Sequence, residues 1–150
     1  MTWRTLGSHQ CELGESPFWQ AHDARLYWVD ITGCAALRAD PATGVTERWS
    51  LPDEPGCMAP ARTVAEAGTA DTADTAGNGG NGGTPDGWVL ALRSGIYRAH
   101  HWGGTLRRIA RLPYDPHTQR ANDGRCDPVG RFWVGMVEDP TQVLEALGVR

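Results

Sequence analysis

Short apolar runs separated by turn residues recur along the chain, and two of them open segments that resemble each other. One segment begins at Trp28 and reads WVDITGCAALRADPATGVTERWSLP, and the other begins at Trp88 and reads WVLALRSGIYRAHHWGGTLRRIARLP. In both, an Arg-Ala pair follows ten residues after the tryptophan, a glycine follows at sixteen, and Leu-Pro closes the segment. Phe132 opens a third such segment. The repeat indicates small units of short strands.

The spacing of the tryptophans that mark the three segments gives the length of the repeat. Trp28, Trp88 and Trp133 lie 60 and 45 residues apart, and the surplus of 15 comes from an Ala/Thr/Gly/Asp tract at 65–87. Such a tract cannot bury enough apolar surface to offset its ordering entropy, so it predicts a disordered loop. Without that surplus the period is about 45 residues, which is typical of one four-stranded propeller blade.

The pattern places strands between the turn residues and predicts an all-β propeller. The predicted strands are 26–31, 36–39, 45–50, 57–64, 88–92, 96–99 and 105–111, and a helix is expected only at 141–147. A closed propeller has about four to eight blades. This chain supplies about three, the third incomplete, so we expect one domain over residues 1–150 whose blade edges are open.

Composition narrows the classes of protein to which the chain could belong. The 150 residues include 18 acidic and 14 basic side chains, a net charge of −4, which argues against a nucleic-acid binder. No apolar run approaches the roughly 18 residues of a membrane span, and residues 1–5 lack the apolar core of a signal peptide. We therefore expect a cytoplasmic protein without a membrane partner. The four cysteines contain no C-x-x-C pair, and we expect them to be reduced and mostly buried.

Two short polar motifs could bind ligands. Glu15, between a glycine and Ser-Pro, is either an exposed turn residue before a strand or a carboxylate at a blade's inner edge that binds Ca²⁺ or Mg²⁺. Arg120 and Asn122 project to the same side of an extended chain, where they could clamp an oxygen-rich substrate. The Asp-Gly pair at 123–124 is typical of a hairpin turn. The Asp-Pro-x-Gly sequence at 127–130 also predicts a turn, and the histidine spacings predict no histidine metal site.

Together, four segments resemble the SMP-30/gluconolactonase/regucalcin-like family. They are LGESPFW (13–19), LYWVDI (26–31), GWVLALRSGIYR (87–98) and RANDGRCDPVGRFWVGM (120–136). The resemblance implies a six-bladed β-propeller that binds one divalent cation in its central channel and hydrolyses sugar lactones to aldonic acids. It assigns Glu15 to the metal, Arg120 and Asn122 to the substrate, and to Asp123 a structural or supporting role beside them.

The resemblance also implies what this chain does not supply. In the family, two further metal ligands, an Asn and an Asp that also serves as general base, lie in the second half, so no catalytic residue is assigned here. We expect a truncated lactonase, with Ca, Zn, Mn or Mg as its cation, and leave open whether it is active alone. A complementing chain or self-association through open blade edges would complete it. The alternatives are a non-enzymatic propeller-type binding module and a calcium-binding regulatory protein.

Overall fold

Ten β-strands in three antiparallel sheets make up the part of the chain that the computed structural model describes, residues 2–3, 5–62 and 87–139. The strands are β1 (Gly14–Gln20), β2 (Arg25–Asp30), β3 (Ala35–Ala39), β4 (Thr46–Ser50), β5 (Pro55–Ala61), β6 (Gly87–Leu92), β7 (Gly95–Ala99), β8 (Arg107–Ala110), β9 (Gln119–Cys126) and β10 (Phe132–Glu138). In these ranges no helix is long and apolar enough to cross a membrane.

Within each sheet, every strand pairs with the next along the chain, as the repeat predicts. Strands β1-β2-β3-β4 form one four-stranded sheet, which we call blade 1, and β5-β6-β7-β8 form a second, blade 2. Strands β9 and β10 form a two-stranded third sheet. The predicted all-β class and the four-stranded repeat unit are therefore confirmed.

The two blades differ at the turn between their second and third strands. In blade 1, Asp30 pairs with Ala35 across a turn of four residues, whereas the corresponding turn of blade 2 has two. Because of this difference, Trp88 takes the position in its strand that Leu26 takes in blade 1. The repeat aligned Trp88 with Trp28, and that alignment is wrong by two residues within this strand.

Blade 1 and blade 2 pack face to face through one apolar core. Tyr27 and Val29 of β2 contribute fully buried side chains, as do Leu90 and Leu92 of β6. The ring centroids of Tyr27 and Trp88 are 4.7 Å apart, within the range for interacting aromatic pairs. Alternate residues of the two strands thus interdigitate, which fixes how the blades are oriented.

Blade 2 is covered on both faces. All residues of β5 and β6 are buried. Val89 and Ala91 face away from blade 1 and belong to two smaller clusters, both of which include Phe132 of β10. A strand buried on both sides is expected to read as a continuous apolar run, and the WVLAL segment of β6 does so.

The third sheet corrects one expectation and confirms another. Asp123 and Gly124 lie inside β9, where Gly124 pairs with Val134, and not in a hairpin turn. Pairing with β10 and packing against β5 outweigh the turn preference of the Asp-Gly pair. The predicted Asp-Pro-x-Gly turn is present: the Asp127 carboxylate accepts hydrogen bonds from the backbone and side chain of Arg131.

Several predicted features fall partly or wholly outside the described residues. The strand predicted at 57–64 is observed at 55–61, and its last two predicted residues lie outside. The loop predicted at 65–87 lies outside except for Gly87, which is a strand residue. The helix predicted at 141–147 also lies outside. All four cysteines are free, but only Cys57 is fully buried, so the expectation of mostly buried cysteines is wrong.

Candidate functional site

Glu15 is the second residue of β1, at a point where the strand bulges. The expectation of a turn before a strand is therefore wrong, although the pairing register with β2 does shift between Glu15 and Phe18. Ser16 has a φ of 51°, in the left-handed region that residues other than glycine seldom adopt. The bulge leaves Glu15 exposed and turns Ser16 into the interior. Strain of this kind costs about 1–3 kcal/mol, and it is often found at functional sites.

The Ser16 hydroxyl joins the first strands of all three sheets. It lies 2.9 Å from the carbonyl oxygen of Gly56 on β5 and 2.7 Å from Oδ1 of Asp123 on β9. Because a hydroxyl has one proton, the two acceptors share a single donor. Glu15 precedes Ser16 in the sequence, and Asn122 precedes Asp123. The junction therefore brings together the backbone segments that contain the sequence-predicted residues.

Two glycines allow β5 and β9 to approach closely. A Cβ added at Gly56 would lie 2.5 Å from the carbonyl carbon of Ala121 and 2.5 Å from the carbonyl oxygen of Asn122. A Cβ added at Gly124 would lie 2.5 Å from Sγ of Cys57. Any side chain at Gly56 would force the backbones apart. The sequence reasoning missed Ser16 and Gly56, because nothing in one sequence marks a glycine that faces another backbone.

Arg120 and Asn122 contact each other, as their spacing in an extended chain predicts. Nη1 of Arg120 donates a hydrogen bond to Oδ1 of Asn122 at 3.0 Å and another to the backbone oxygen of Ala121 at 3.2 Å. Both side chains are half-buried. With its oxygen facing the guanidinium, the Asn122 amide directs its NH₂ group away from Arg120. The pair therefore presents hydrogen-bond donors, which suit a ligand rich in oxygen atoms.

Asp123 connects β9 to the bulge of β1. Besides facing the Ser16 hydroxyl, its Oδ1 accepts the backbone N–H of Gly124 at 2.9 Å. These contacts hold the backbone next to Asn122. Asp123 is thus placed beside the predicted substrate residues, on the strand that contains them.

Arg93, which the sequence reasoning did not single out, fixes the third sheet to blade 2. Its Nε donates to Glu54 at 2.6 Å, and its Nη2 forms an ion pair with Asp139 after β10. Its Nη1 donates to backbone oxygens of Pro116 and Gln119, at 3.0 and 3.2 Å. The guanidinium therefore holds the start of the strand that contains Arg120 and Asn122.

The donor set around Glu15 is incomplete for a hard divalent cation. Ca²⁺ takes about 6–8 oxygen ligands, and Mg²⁺ needs near-octahedral oxygens. Among the described residues, the group of His, Cys, Asp and Glu side chains close enough to hold a metal ion does not include Glu15. These residues do not by themselves fit the cation that the resemblance implies, and no chemical step is derived through it.

Two cavities lie at opposite ends of β1. A cleft of about 40 Å³ lies between the first strands of the three sheets and is lined by Ser16 and Gly124. It has room for water but not for a sugar lactone. The other cavity, of about 240 Å³, lies beyond Gln20 and is lined by Tyr27, Trp88 and several other aromatic and polar residues. Ser16 and Gly124, which line the smaller cleft, are the sequence neighbours of Glu15 and Asp123.

Comparison with known proteins identifies the family. A profile of the SMP-30/Gluconolactonase/LRE-like region matches residues 13–146. The chain is 36% identical over 128 residues to 6-deoxy-6-sulfogluconolactonase of Pseudomonas putida, covering 85% of this chain and 36% of that protein. It is 31% identical over 129 residues to regucalcin of Xenopus laevis, covering 85% of this chain and 36% of regucalcin.

A solved structure has a similar fold over most of this chain. The calcium-binding protein regucalcin from Agrobacterium tumefaciens superposes with a TM-score of 0.65 at 22% identity, over 87% of this chain and 37% of that one. This similarity supports the propeller-type fold. The chain spans little more than a third of the length of these relatives. Because the family profile matches most of its residues, this chain belongs to the SMP-30/gluconolactonase/LRE-like family.

Proposed function

We propose that this chain is part of a sugar lactone hydrolase that converts a lactone to the corresponding aldonic acid. The observation that supports the proposal is its 36% identity, over 85% of its length, to a protein named 6-deoxy-6-sulfogluconolactonase. In the reaction the oxygen of water bonds to the lactone carbonyl carbon, the ring oxygen leaves as a hydroxyl, and the acid releases a proton near neutral pH. That proton provides a direct assay.

The donor pair on β9 would bind the substrate. A sugar lactone presents a carbonyl oxygen and several hydroxyls, which suit the guanidinium of Arg120 and the amide NH₂ of Asn122. Asp123 and Ser16 would hold that strand in place, since their hydrogen bond joins it to β1 at 2.7 Å. No described residue is assigned as the general base.

Glu15 would supply one ligand to a divalent cation, either Ca, Zn, Mn or Mg. Such a cation, when bound, polarises a carbonyl and lowers the pKa of water. The remaining ligands would come from polypeptide outside the described residues or from a second chain.

The decisive experiment follows proton release from glucono-1,5-lactone at constant pH, with each of the four cations and with none. With the missing ligands and general base supplied by the remaining segment of the Pseudomonas putida relative, we expect hydrolysis above the spontaneous rate only with a cation. Glu15→Gln should lower this rate at least tenfold. Glu12→Gln, a substitution at another exposed carboxylate three residues earlier, should leave it unchanged. A rate that needs no cation, or that falls equally in both variants, would contradict the role of Glu15.

Further propeller strands would cover the third sheet. Trp133 and Met136, which both lie on β10, are 60% and 51% exposed, which is a large amount of exposed apolar surface for one strand. The same relatives extend well beyond the aligned region. If the chain is inactive alone, adding the remaining segment of the Pseudomonas putida lactonase should restore proton release. Failure to restore activity, with no association detected by analytical ultracentrifugation, would count against this partner.

A calcium-binding regulatory protein without lactonase activity is the second candidate, because regucalcin is also among the relatives. A non-enzymatic binding module is the more general alternative, of which a calcium-binding regulatory protein is one case. A cytoplasmic location stays a prediction for all of these candidates. Calcium that binds only the native state must raise the unfolding midpoint. A rise with calcium, lost in Glu15→Gln and accompanied by no lactone hydrolysis in the complemented form, would favour this candidate.

A further inference from the structure

A second group of ligand atoms lies where the N-terminal segment meets the end of β2. It consists of His9, Cys11 and Asp30, which each offer one nitrogen, sulfur or oxygen atom within 4.8 Å of the others. His9 is exposed, Cys11 is half-buried and Asp30 is buried. Histidine spacing alone did not point to this group, because its other members are a cysteine and an aspartate that the fold of blade 1 brings near.

The Asp30 carboxylate is held rigidly by the backbone. Its Oδ1 accepts the N–H groups of Leu13 and Gly33 at 3.0 and 3.1 Å, and its Oδ2 accepts the N–H of Glu12 at 3.1 Å. A carboxylate has about four acceptor positions, so Oδ2 retains one. A Cβ at Gly33 would lie 2.3 Å from Oδ2, so glycine is required beside this oxygen.

Electrostatics keep this carboxylate ionised. Burial acts to raise the pKa of Asp30, which is only 4% exposed. The three backbone N–H donors act in the opposite direction and together outweigh burial, so the pKa lies below its usual value. A buried carboxylate that three backbone N–H groups hold in one orientation is a suitable ligand for a cation.

The Cys11 sulfur is also oriented by a neighbour. Nε1 of Trp28 donates a hydrogen bond to Sγ at 3.1 Å. Such a donor stabilises a thiolate, the form of cysteine that binds metals. Without a metal, burial is the main influence and raises the pKa of Cys11, with the Asp30 carboxylate adding to it, so the thiol keeps its proton. A metal that binds here must displace that proton.

We propose that His9, Cys11 and Asp30 form a binding site for a divalent transition-metal ion, with Zn²⁺ as the preferred ion. A ligand set of imidazole, thiolate and carboxylate suits Zn²⁺ and excludes Ca²⁺ and Mg²⁺, which require oxygen ligands. The site uses none of the residues proposed above for lactone hydrolysis. An experiment that refutes this metal site would therefore leave the lactonase proposal intact, and the reverse also holds.

The observed spacing allows a tetrahedral ion after a small adjustment. Zinc bonds of about 2.0–2.1 Å to N and O and about 2.3 Å to S place the ligand atoms about 3.3–3.8 Å apart. The ligand atoms now lie up to 4.8 Å apart, so the longest of these distances must shorten by about 1 Å when the ion binds. His9 is exposed and can rotate to make this change, and water can take the fourth position. The bound ion would tie the segment before β1 to the end of β2.

Cobalt(II) provides the test, because it replaces zinc in such sites and absorbs in the near ultraviolet when a thiolate is bound. We titrate the full chain, with its cysteines reduced, with Co²⁺ and record the thiolate-to-cobalt charge-transfer band. We expect a saturable band with one Co²⁺ per chain, displaced by Zn²⁺ and unaffected by millimolar Ca²⁺ or Mg²⁺. Absence of the band, or displacement by Ca²⁺, would overturn the proposal.

Variants assign the band to these residues. Cys11→Ser should abolish it, while Cys34→Ser, a change at another half-buried free cysteine, should retain it. His9→Ala changes an exposed side chain and should preserve folding. We expect it to weaken Zn²⁺ binding at least tenfold, since even outer partners of a metal site are worth roughly 10–100-fold. Glu15→Gln should have no effect. A band that persists in Cys11→Ser, or unchanged affinity in His9→Ala, would refute the site.

Discussion

The second strands of blade 2 and of the third sheet have similar apolar segments but lie in different surroundings. Trp88 opens WVLAL in β6 and is 8% exposed, whereas Trp133 opens WVGMV in β10 and is 60% exposed. Blade 2 is packed between two neighbours, while the third sheet contacts blade 2 on one face. The comparison teaches that burial of a repeat unit depends on its neighbours as well as on its own sequence. The side chains assigned to the substrate lie on the less covered sheet.

The largest effect is expected in the core between the blades. Leu90→Ala removes a fully buried side chain and should lower the free energy of unfolding by about 2–5 kcal/mol. Ile109→Ala, on the exposed edge strand β8 of the same blade, should cost less than about 0.5 kcal/mol. Urea unfolding followed by tryptophan fluorescence measures both. Equal losses of stability in the two variants would mean that the centre of blade 2 is packed no more tightly than its edge strand β8.

The next effect concerns the contact between blade 2 and the third sheet. Gly56→Ala places a Cβ about 2.5 Å from two backbone atoms of β9 and should cost about 1–3 kcal/mol as overpacking. Gly135→Ala, where the nearest backbone oxygen is 3.1 Å away, is the control and should cost less. Thermal unfolding of the two variants compares them. If Gly56→Ala is as stable as the original chain, β5 and β9 do not pack as described.

Removing the arginine that joins blade 2 to the third sheet should have a smaller effect. Arg93→Met removes the ion pairs of this arginine with Glu54 and Asp139 and should cost about 2 kcal/mol. Arg131→Met removes an ion pair within the third sheet whose arginine is 68% exposed, and should cost at most about 0.5 kcal/mol. Urea unfolding distinguishes the two. A larger loss of stability in Arg131→Met would mean that the exposed ion pair stabilises the protein more than the arginine between blade 2 and the third sheet.

The smallest effect depends on pH and lies in blade 1. Hydrogen bonding from Arg38 is the main cause that lowers the pKa of Glu47 below its usual 4.5, and Arg25 adds to it. Because the folded pKa is the lower one, this stabilisation is present above pH 4.5 and is lost as the pH falls through the folded value. Glu47→Gln should therefore flatten the acid limb of stability, with little change below that limb. If stability falls as steeply with decreasing pH in Glu47→Gln, other carboxylates cause the loss of stability in acid.

The sequence alone predicted the blades well because their signals are local. Short apolar runs, Gly turns and the Arg-Ala pairs marked six strands of blades 1 and 2 to within two residues at each end. The repeat aligned Trp28 with Trp88 because it allowed for no difference in length between the turns. The turn of blade 1 is two residues longer, so Trp88 corresponds to Leu26. The predicted turn at Asp127 also depended on local hydrogen bonds, and it was confirmed.

The candidate site was harder to predict because it depends on contacts between distant strands. Strand β9 reads QRANDGRC, which has low strand propensity, and it is extended because it pairs with β10 and packs against β5. The bulge at Ser16 requires a positive φ that a serine seldom adopts, so sequence reasoning placed Glu15 in a turn. The roles of Glu15, Arg120, Asn122 and Asp123 stay predictions.

The hydrogen bond between Ser16 and Asp123 has a consequence for the order of folding. It joins residues 107 positions apart, whereas each blade is built from hairpins between successive strands. Contacts between distant residues form slowly because loop closure costs entropy before the contact repays it. The residues of the candidate site therefore meet only after both blades have formed. We therefore expect the candidate site to be completed last, so that a substitution that slows the folding of a blade would also delay the formation of the site.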